Sequence, residues 1–292
     1  MKMAEKIFRK FGNMIKRMLF IVESLGKVCR YGGYSTVNIA CVNHGEVLKG
    51  KRVLITGGGS GIGLSIAKKC LQEGAIVVVT GRNKTKLESV AEEVNNPLLK
   101  VLVWDISHIP EIEENIVKAE ELLEGDIDVL VNNAGIPSRV HFPNVTEESW
   151  DRIYATNSKG LFFLTQSLCG KWMKKQNVQP KKVINISSQG GFVGATYPYR
   201  MTKWDVAGLT QGLGIELAPF GILVNGIAPG IVATDMLPGC LKQKENVYYP
   251  ENPIKRFALP EEIAELAIFL ISDTSNFIVG QTIVCDGGYS LK

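Results

Sequence analysis

Apolar residues at positions 4, 8, 11, 15, 18, 22 and 25 (Ala, Phe, Phe, Ile, Met, Val and Leu) recur at alternating four- and three-residue intervals, with Lys6, Arg9, Lys10, Lys16 and Arg17 off the stripe. That spacing predicts an amphipathic helix. Its longest unbroken apolar run, Met18 to Val22, stops at Glu23, far short of the roughly 20 residues that cross a bilayer. Neither the long apolar centre nor the small-residue cleavage site of a secretory signal is evident. Four readings stay open for this segment: docking on its own domain or a partner subunit, peripheral contact of residues 1–30 with an anionic membrane, disorder, or a start codon placed too early. Gly32-Gly33 ends the helical pattern, and residues 34–50 read as irregular or weakly extended linker.

From Lys51 the rhythm becomes strand, turn, helix. Val53–Ile55, Ala75–Thr80, Leu98–Trp104 and Ile127–Val131 read as short Val/Ile/Leu-rich strands. Between them the pattern predicts helices over about 62–73, 84–94 and 111–123. A long helix through 150–176, a strand at 182–187, a helix carrying Tyr199 and Lys203, and strands at 221–227 and 281–285 follow. Uninterrupted apolar strands alternating with helices imply a parallel sheet covered on both faces, with right-handed crossovers. The fold class is therefore α/β, a doubly wound sheet, organised as a basic amphipathic extension and linker (1–49) and an α/β domain (50–292).

Charge separates the same two parts. The first fifty residues carry nine of the 33 Lys/Arg and three of the 29 Asp/Glu, so the remainder is close to neutral. A body without a broad basic stripe is a poor partner for a nucleic-acid backbone. The six cysteines are scattered without a Cys-x-x-Cys pair, and His44, His108 and His141 have no metal-ligand spacing. No metal site is assigned, and reduced thiols in a cytoplasmic protein are the simplest reading. Two readings stay open for His141, a place in the pocket lining or a solvated loop position, and the second is the commoner for a loop histidine.

Chemistry enters with three clusters. Thr56-Gly57-Gly-Gly59-Ser60-Gly61-Ile62-Gly63 lies between the first strand and first helix. Missing side chains there permit a tight turn and close approach to a pyrophosphate at a helix N-terminus. Tyr199 and Lys203 stand four residues apart, on one helical face; a cation beside a phenol favours the phenolate. Upstream of them runs Asn185-Ile-Ser-Ser188. At the end of the second strand, Thr80-Gly81-Arg82-Asn83 offers no carboxylate for a ribose 2′-hydroxyl, whereas Arg82 suits a 2′-phosphate. NADP(H) is therefore favoured over NAD(H), the alternative being that Arg82 merely opens the next helix in solvent.

With Asn132-Asn133-Ala134-Gly135, Asn157-Ser-Lys-Gly160 and Ala228-Pro229-Gly230-x-x-x-Thr234 in the same order, the chain from about residue 50 resembles the short-chain dehydrogenase/reductase family, of the single-domain type. The resemblance implies a Rossmann-type sheet of seven parallel strands ordered 3-2-1-4-5-6-7, and homodimers or homotetramers. It implies Tyr199 as acid/base, Ser188 as hydrogen-bond partner of the substrate carbonyl, and Lys203 lowering the Tyr199 pKa and holding the nicotinamide ribose. Asn157 would hold a helix kink and a water; Asp105 would contact adenine; Asn133, Ala134 and Gly135 would line the adenosine ribose; Pro229, Gly230, Val232 and Thr234 would hold the nicotinamide amide. The Ser188–Tyr199 interval is about two residues shorter than is common in the family, which leaves Ser187 as an alternative.

The expected activity is interconversion of a ketone and a secondary alcohol. A 3-oxoacyl thioester is one candidate substrate; a small ketone, polyol or steroid-like ketone is another. The rival readings are a nucleotide-sensing or scaffold protein on the same fold and a membrane-associated reductase of a lipid-like ketone. Pocket walls are expected from 138–145 and 236–256, with Phe142, Phe192, Tyr197, Met236 and Leu237 as candidates for apolar lining, each equally open to a role in ordinary packing.

Overall fold

The computed structural model describes residues 2–37, 42–138, 140–175, 179–234 and 246–291, with side chains described from Gly12 onward apart from Asn13 and Tyr31. Seven strands make one sheet: β1 (Arg52–Thr56), β2 (Ile76–Gly81), β3 (Leu99–Val103), β4 (Val129–Asn132), β5 (Lys181–Ile186), β6 (Ile222–Pro229) and β7 (Thr282–Cys285). Every pairing is parallel and the order is β3-β2-β1-β4-β5-β6-β7. This is the doubly wound sheet that the strand pattern implied, in the Rossmann-type strand order that the family resemblance implied.

Strand periodicity explains why these runs are apolar throughout. Successive side chains point to opposite faces, and here both faces are core. Val53, Ile55, Val77, Val79, Val129, Val131, Ile184 and Ile186 enter one apolar cluster, whereas Leu54, Val78, Leu130 and Val183 enter the other. Helices α2 (Gly61–Gln72) and α3 (Lys84–Val94) cover the first face through Ile66, Ala67, Cys70, Leu87 and Val90. The opposite face is covered by α4 (Ile112–Leu122), α6 (Leu161–Met173) and α7 (Pro198–Leu217), through Ile116, Leu164, Leu168, Trp172 and Leu217.

Two elements differ from expectation. The helix expected over 150–176 is divided: α5 (Glu147–Tyr154) and α6 are joined by a π-helical turn, Ala155–Gly160. Further on, α8 (Pro260–Ile271) occupies a stretch for which the pattern suggested no element. Pro260 opens it at the first turn, and Glu262 accepts from the Leu259 N–H at 2.8 Å while chelating Arg256 at 2.6 and 2.7 Å. Its Ile263, Ala264, Ala267, Ile268 and Ile271 join the first core.

The N-terminal pattern folds as α1 (Lys2–Tyr31), followed by Gly32 at φ +75°, a left-handed position that glycine fills without strain. Leu48 is fully buried in the first core, so the segment just ahead of β1 belongs to the packed body. His44 bonds Glu265 at 2.8 Å, and Lys69 bonds Glu265 at 2.9 Å, clamping residues 42–44 against α2 and α8. No helix among the described residues is long and apolar enough to cross a membrane.

Candidate active site

The carboxyl ends of β1, β2, β4, β5 and β6 open on one cleft of about 750 Å³, the place where ligands bind in open parallel sheets. Its floor is the glycine turn. Gly57 and Gly61 sit at φ +67° and +55°, a region costly to any residue with a Cβ. Gly63 has another reason: a Cβ there would lie 2.4 Å from Asn133 Nδ2 and 2.6 Å from the Gly57 carbonyl. Gly57, Gly59, Ser60, Gly61 and Ile62 line the cleft, whereas Gly63 packs beneath it. Thr56 Oγ1 accepts from the Asn133 and Ala134 N–H groups at 3.1 Å, and Asn133 Nδ2 donates to the Thr56 and Gly57 carbonyls at 3.0 Å. Asn133 thus lines the cleft while its amide is spent tying the turn to β4.

At the β2 end, Arg82 is largely exposed and lies 3.8 Å from Asp105. Asn83 uses its side chain to cap α3, accepting from the Lys86 N–H at 2.9 Å. Asp105 accepts from the backbone and hydroxyl of Ser107 at 3.0 and 2.7 Å. Lys86 lines the same end; its place one turn into α3, three residues beyond the capping Asn83, was legible in the sequence and went unused. Thr80 and Trp104 also line it, and Thr80 Oγ1 and Trp104 Nε1 are buried without a hydrogen-bond partner. A glycine cradle that a Cβ would fill, an α-helix N-terminus and an orphaned hydroxyl fit a dinucleotide.

Ser188, Tyr199 and Lys203 meet at the other end. Pro198 starts α7, so Tyr199 lies in its first turn and Lys203 one turn on. Lys203 is buried, donates to the Ile186 carbonyl at 2.8 Å, and holds its ammonium 5.7 Å from the Tyr199 ring centre. Burial lowers its pKa to about 8. Burial also raises the Tyr199 phenol, while hydrogen bonding by Ser188 draws it down and Tyr197 raises it further. The resemblance implied that Lys203 lowers the Tyr199 pKa; in the protein alone burial dominates and the direction is upward, and the Lys203 ammonium is engaged with the Ile186 carbonyl.

Ser187 and Ser188 are distinguished by their partners. The Ser187 hydroxyl is buried and donates to the Lys203 carbonyl at 2.8 Å. The Ser188 hydroxyl accepts from Gly190 N–H at 3.1 Å and faces Tyr199. Asn157 sits on the π turn, outside the cleft lining, accepting from Ile136 N–H at 2.9 Å and donating to the Ile136 carbonyl at 3.0 Å and to Thr202 Oγ1 at 3.3 Å. Pro229, Gly230, Val232 and Thr234 form the facing wall, with Thr234 Cγ2 3.2 Å from where a Gly61 Cβ would stand.

Of the five apolar residues expected at the substrate end, two lie elsewhere. Phe142 is 76% exposed, Phe192 is 40% exposed, and neither borders the cleft, because both project outward from loops. Met236 and Leu237 lie outside the described residues. Tyr197 does line it, edge-on to His141 at 4.2 Å, together with Ser138, Gln189 and Arg200. Arg200 donates to the Gly194 carbonyl at 3.1 Å and stacks over Tyr197. Gln189 Oε1 is buried without a partner.

The family model described as "Enoyl-(Acyl carrier protein) reductase" matches residues 57–290, from the glycine turn to the last strand. The 3-oxoacyl-[acyl-carrier-protein] reductase FabG of Aquifex aeolicus is 36% identical over 248 residues, covering 82% of this chain and 98% of its own. The chain belongs to the short-chain dehydrogenase/reductase family. The gluconate 5-dehydrogenase of Gluconobacter oxydans is 32% identical over 249 residues, covering 84% of this chain and 96% of that protein. Among solved structures, the 3-ketoacyl-(acyl-carrier-protein) reductase from Brucella melitensis complexed with NADH superposes with a TM-score of 0.76 at 32% identity, covering 83% of this chain and 99% of that one. This short-chain dehydrogenase/reductase is a nicotinamide-dependent oxidoreductase that interconverts ketones and secondary alcohols.

Proposed function

We propose that the protein is an NADP(H)-dependent ketone reductase working in the cytoplasm as a homodimer or homotetramer, with Tyr199 as proton donor. The observation that carries this reading is the Tyr199–Ser188 pair with Lys203 one helical turn away, at the far end of a cleft that begins at the glycine cradle. When bound, the nicotinamide supplies the hydride. Ser188 donates to the carbonyl oxygen as negative charge builds on it, and Tyr199 delivers the proton that makes the alcohol. A phenol raised by burial stays protonated through neutral pH, which suits the reductive direction. Lys203 and the glycine turn hold the cofactor, while Asn157 positions the Ile136 loop against α7. Carbonyl chemistry, with both polar groups at oxygen, is favoured over the enoyl reduction named by the family model.

The 2′-phosphate preference rests on Arg82 and Lys86 at a β2 terminus that offers no carboxylate of its own. For the substrate, the described lining suits a polar ketone carrying an anionic group. Arg200 forms no ion pair with a described carboxylate and suits the anionic group, whereas buried Gln189 Oε1, an acceptor without a donor, suits a hydroxyl on the same substrate. The test is NADPH consumption against keto acids, neutral diketones and 3-oxoacyl thioesters, with Arg200→Ala in parallel. The expected result is turnover of keto acids, with the variant raising KM at least about tenfold and leaving kcat and neutral-ketone turnover unchanged. Turnover confined to thioesters would replace the substrate reading and keep the ketone reductase.

The oligomer rests on a shallow apolar groove between α5, α6 and α7, lined by Tyr154, Leu161, Phe162, Val206 and Leu209, and on exposed Trp150 and Trp204 on the same helices.

A further inference from the structure

Helix α1 presents an apolar face that the rest of the described residues leave uncovered. Met18, Leu19, Val22 and Leu25 are 62%, 63%, 65% and 56% exposed, and Met14, Ile15, Ile21 and Val28 are exposed beside them. At about 100° per residue these eight occupy one half of the helix circumference, and Lys16, Arg17, Glu23, Lys27 and Arg30 fall on the other half. Phe20 alone departs from the division. Large apolar side chains on a water-soluble helix normally face a core; these face solvent.

The width and the charge of the face indicate its occupant. Pairing with a second helix needs a narrow seam, two positions in seven, whereas a half-circumference apolar face with a basic opposite side is the pattern of a helix lying in a membrane interface. The sequence of α1 contains eight Lys/Arg against Glu5 and Glu23, complementary to an anionic lipid surface. Its length is about 45 Å, and its composition does not permit crossing.

The root of the helix is not a loose tether. Ser35 N–H donates to Asn246 Oδ1 at 3.1 Å, Val247 N–H donates to the Ser35 carbonyl at 2.9 Å, and a Cβ on Gly33 would collide with the Tyr248 ring at 2.3 Å. Residues 247 and 248 pair in turn with Phe257 and Arg256, and the neighbouring Ala258 bridges to Val232 in the cleft wall. The helix is thereby fastened to the wall of the active site.

We propose that α1 is an interfacial anchor that docks this reductase on anionic phospholipid surfaces through Met18, Leu19, Val22 and Leu25. The test is co-sedimentation of the full chain with vesicles of phosphatidylcholine containing one-third phosphatidylglycerol, against phosphatidylcholine alone. The expected result is binding to the anionic vesicles at least about tenfold tighter, weakened by salt. A Val22→Glu, Leu25→Glu double variant should lose vesicle binding with its circular dichroism and its mass by light scattering unchanged. Failure to sediment with anionic vesicles would overturn the proposal, as would undiminished sedimentation of the double variant. A fall in mass of that variant would assign the face to a second copy of the chain instead. None of these readouts depends on catalysis, so they stand or fall apart from the substrate reading.

Discussion

On the proposed reading, the charges of Arg82 and Lys203 each have a measurable consequence. A charge-assisted hydrogen bond to phosphate contributes about 1.5–3 kcal/mol, so Arg82→Ala should weaken NADPH binding roughly 10- to 100-fold and leave NADH within about twofold. Fluorescence titration checks this, and equal effects on both nucleotides would remove Arg82 from the 2′-phosphate. Lys203, depressed to about 8 by burial, is charged below that pH and neutral above it. Free-enzyme kcat/KM for ketone reduction should therefore be level up to about pH 8 and fall beyond it; a profile level to pH 10 would contradict the assignment. At this scale the sequence was legible where spacing encodes geometry, as in Tyr199 and Lys203 on one face of α7. It was not legible where partners decide. Ser187 and Ser188 are indistinguishable as letters, and their partners in the fold separate them, the Lys203 carbonyl for Ser187 and the Gly190 N–H and Tyr199 for Ser188. Phe142 and Phe192 read as pocket lining on composition, but nothing in composition says which way a loop side chain points.

Elements were legible in proportion to their periodicity. The strands were readable as apolar runs because both sheet faces are buried. The π turn between α5 and α6 has no hydrophobic signature, since it inserts a residue into a helix whose apolar pattern continues on either side. Helix α8 did carry signals, with Pro260 at its start and Glu262 three residues past Leu259, but they follow a stretch that reads as one long loop. The glycine turn gives an element-scale prediction. Gly63→Ala must displace Asn133 or the Gly57 carbonyl, costing about 1–3 kcal/mol in overpacking and weakening nucleotide binding at least about tenfold. Gly170→Ala in α6, with nothing within 4 Å of the new methyl, should be neutral or stabilising by up to about 1 kcal/mol. Thermal denaturation and nucleotide titration of both variants check the contrast; an undisturbed Gly63→Ala would show that close packing there is dispensable.

At the scale of the molecule, two things were written in the chain differently. The order of the sheet follows from alternating strands and helices, handedness and the family motifs, all local or serial features. How the extension meets the body depends on contacts between residues far apart in sequence, such as Ser35 with Asn246 and His44 with Glu265, and no local pattern encodes these. The catalytic account depends on one proton. Tyr199→Phe removes the phenolic hydroxyl and leaves the ring, the glycine cradle and Lys203 in place. Ketone-dependent NADPH oxidation should fall at least about 100-fold, with NADPH affinity within about twofold of the parent protein. Turnover by Tyr199→Phe at the parent rate would contradict Tyr199 as the acid and, with it, the mechanism proposed for the site.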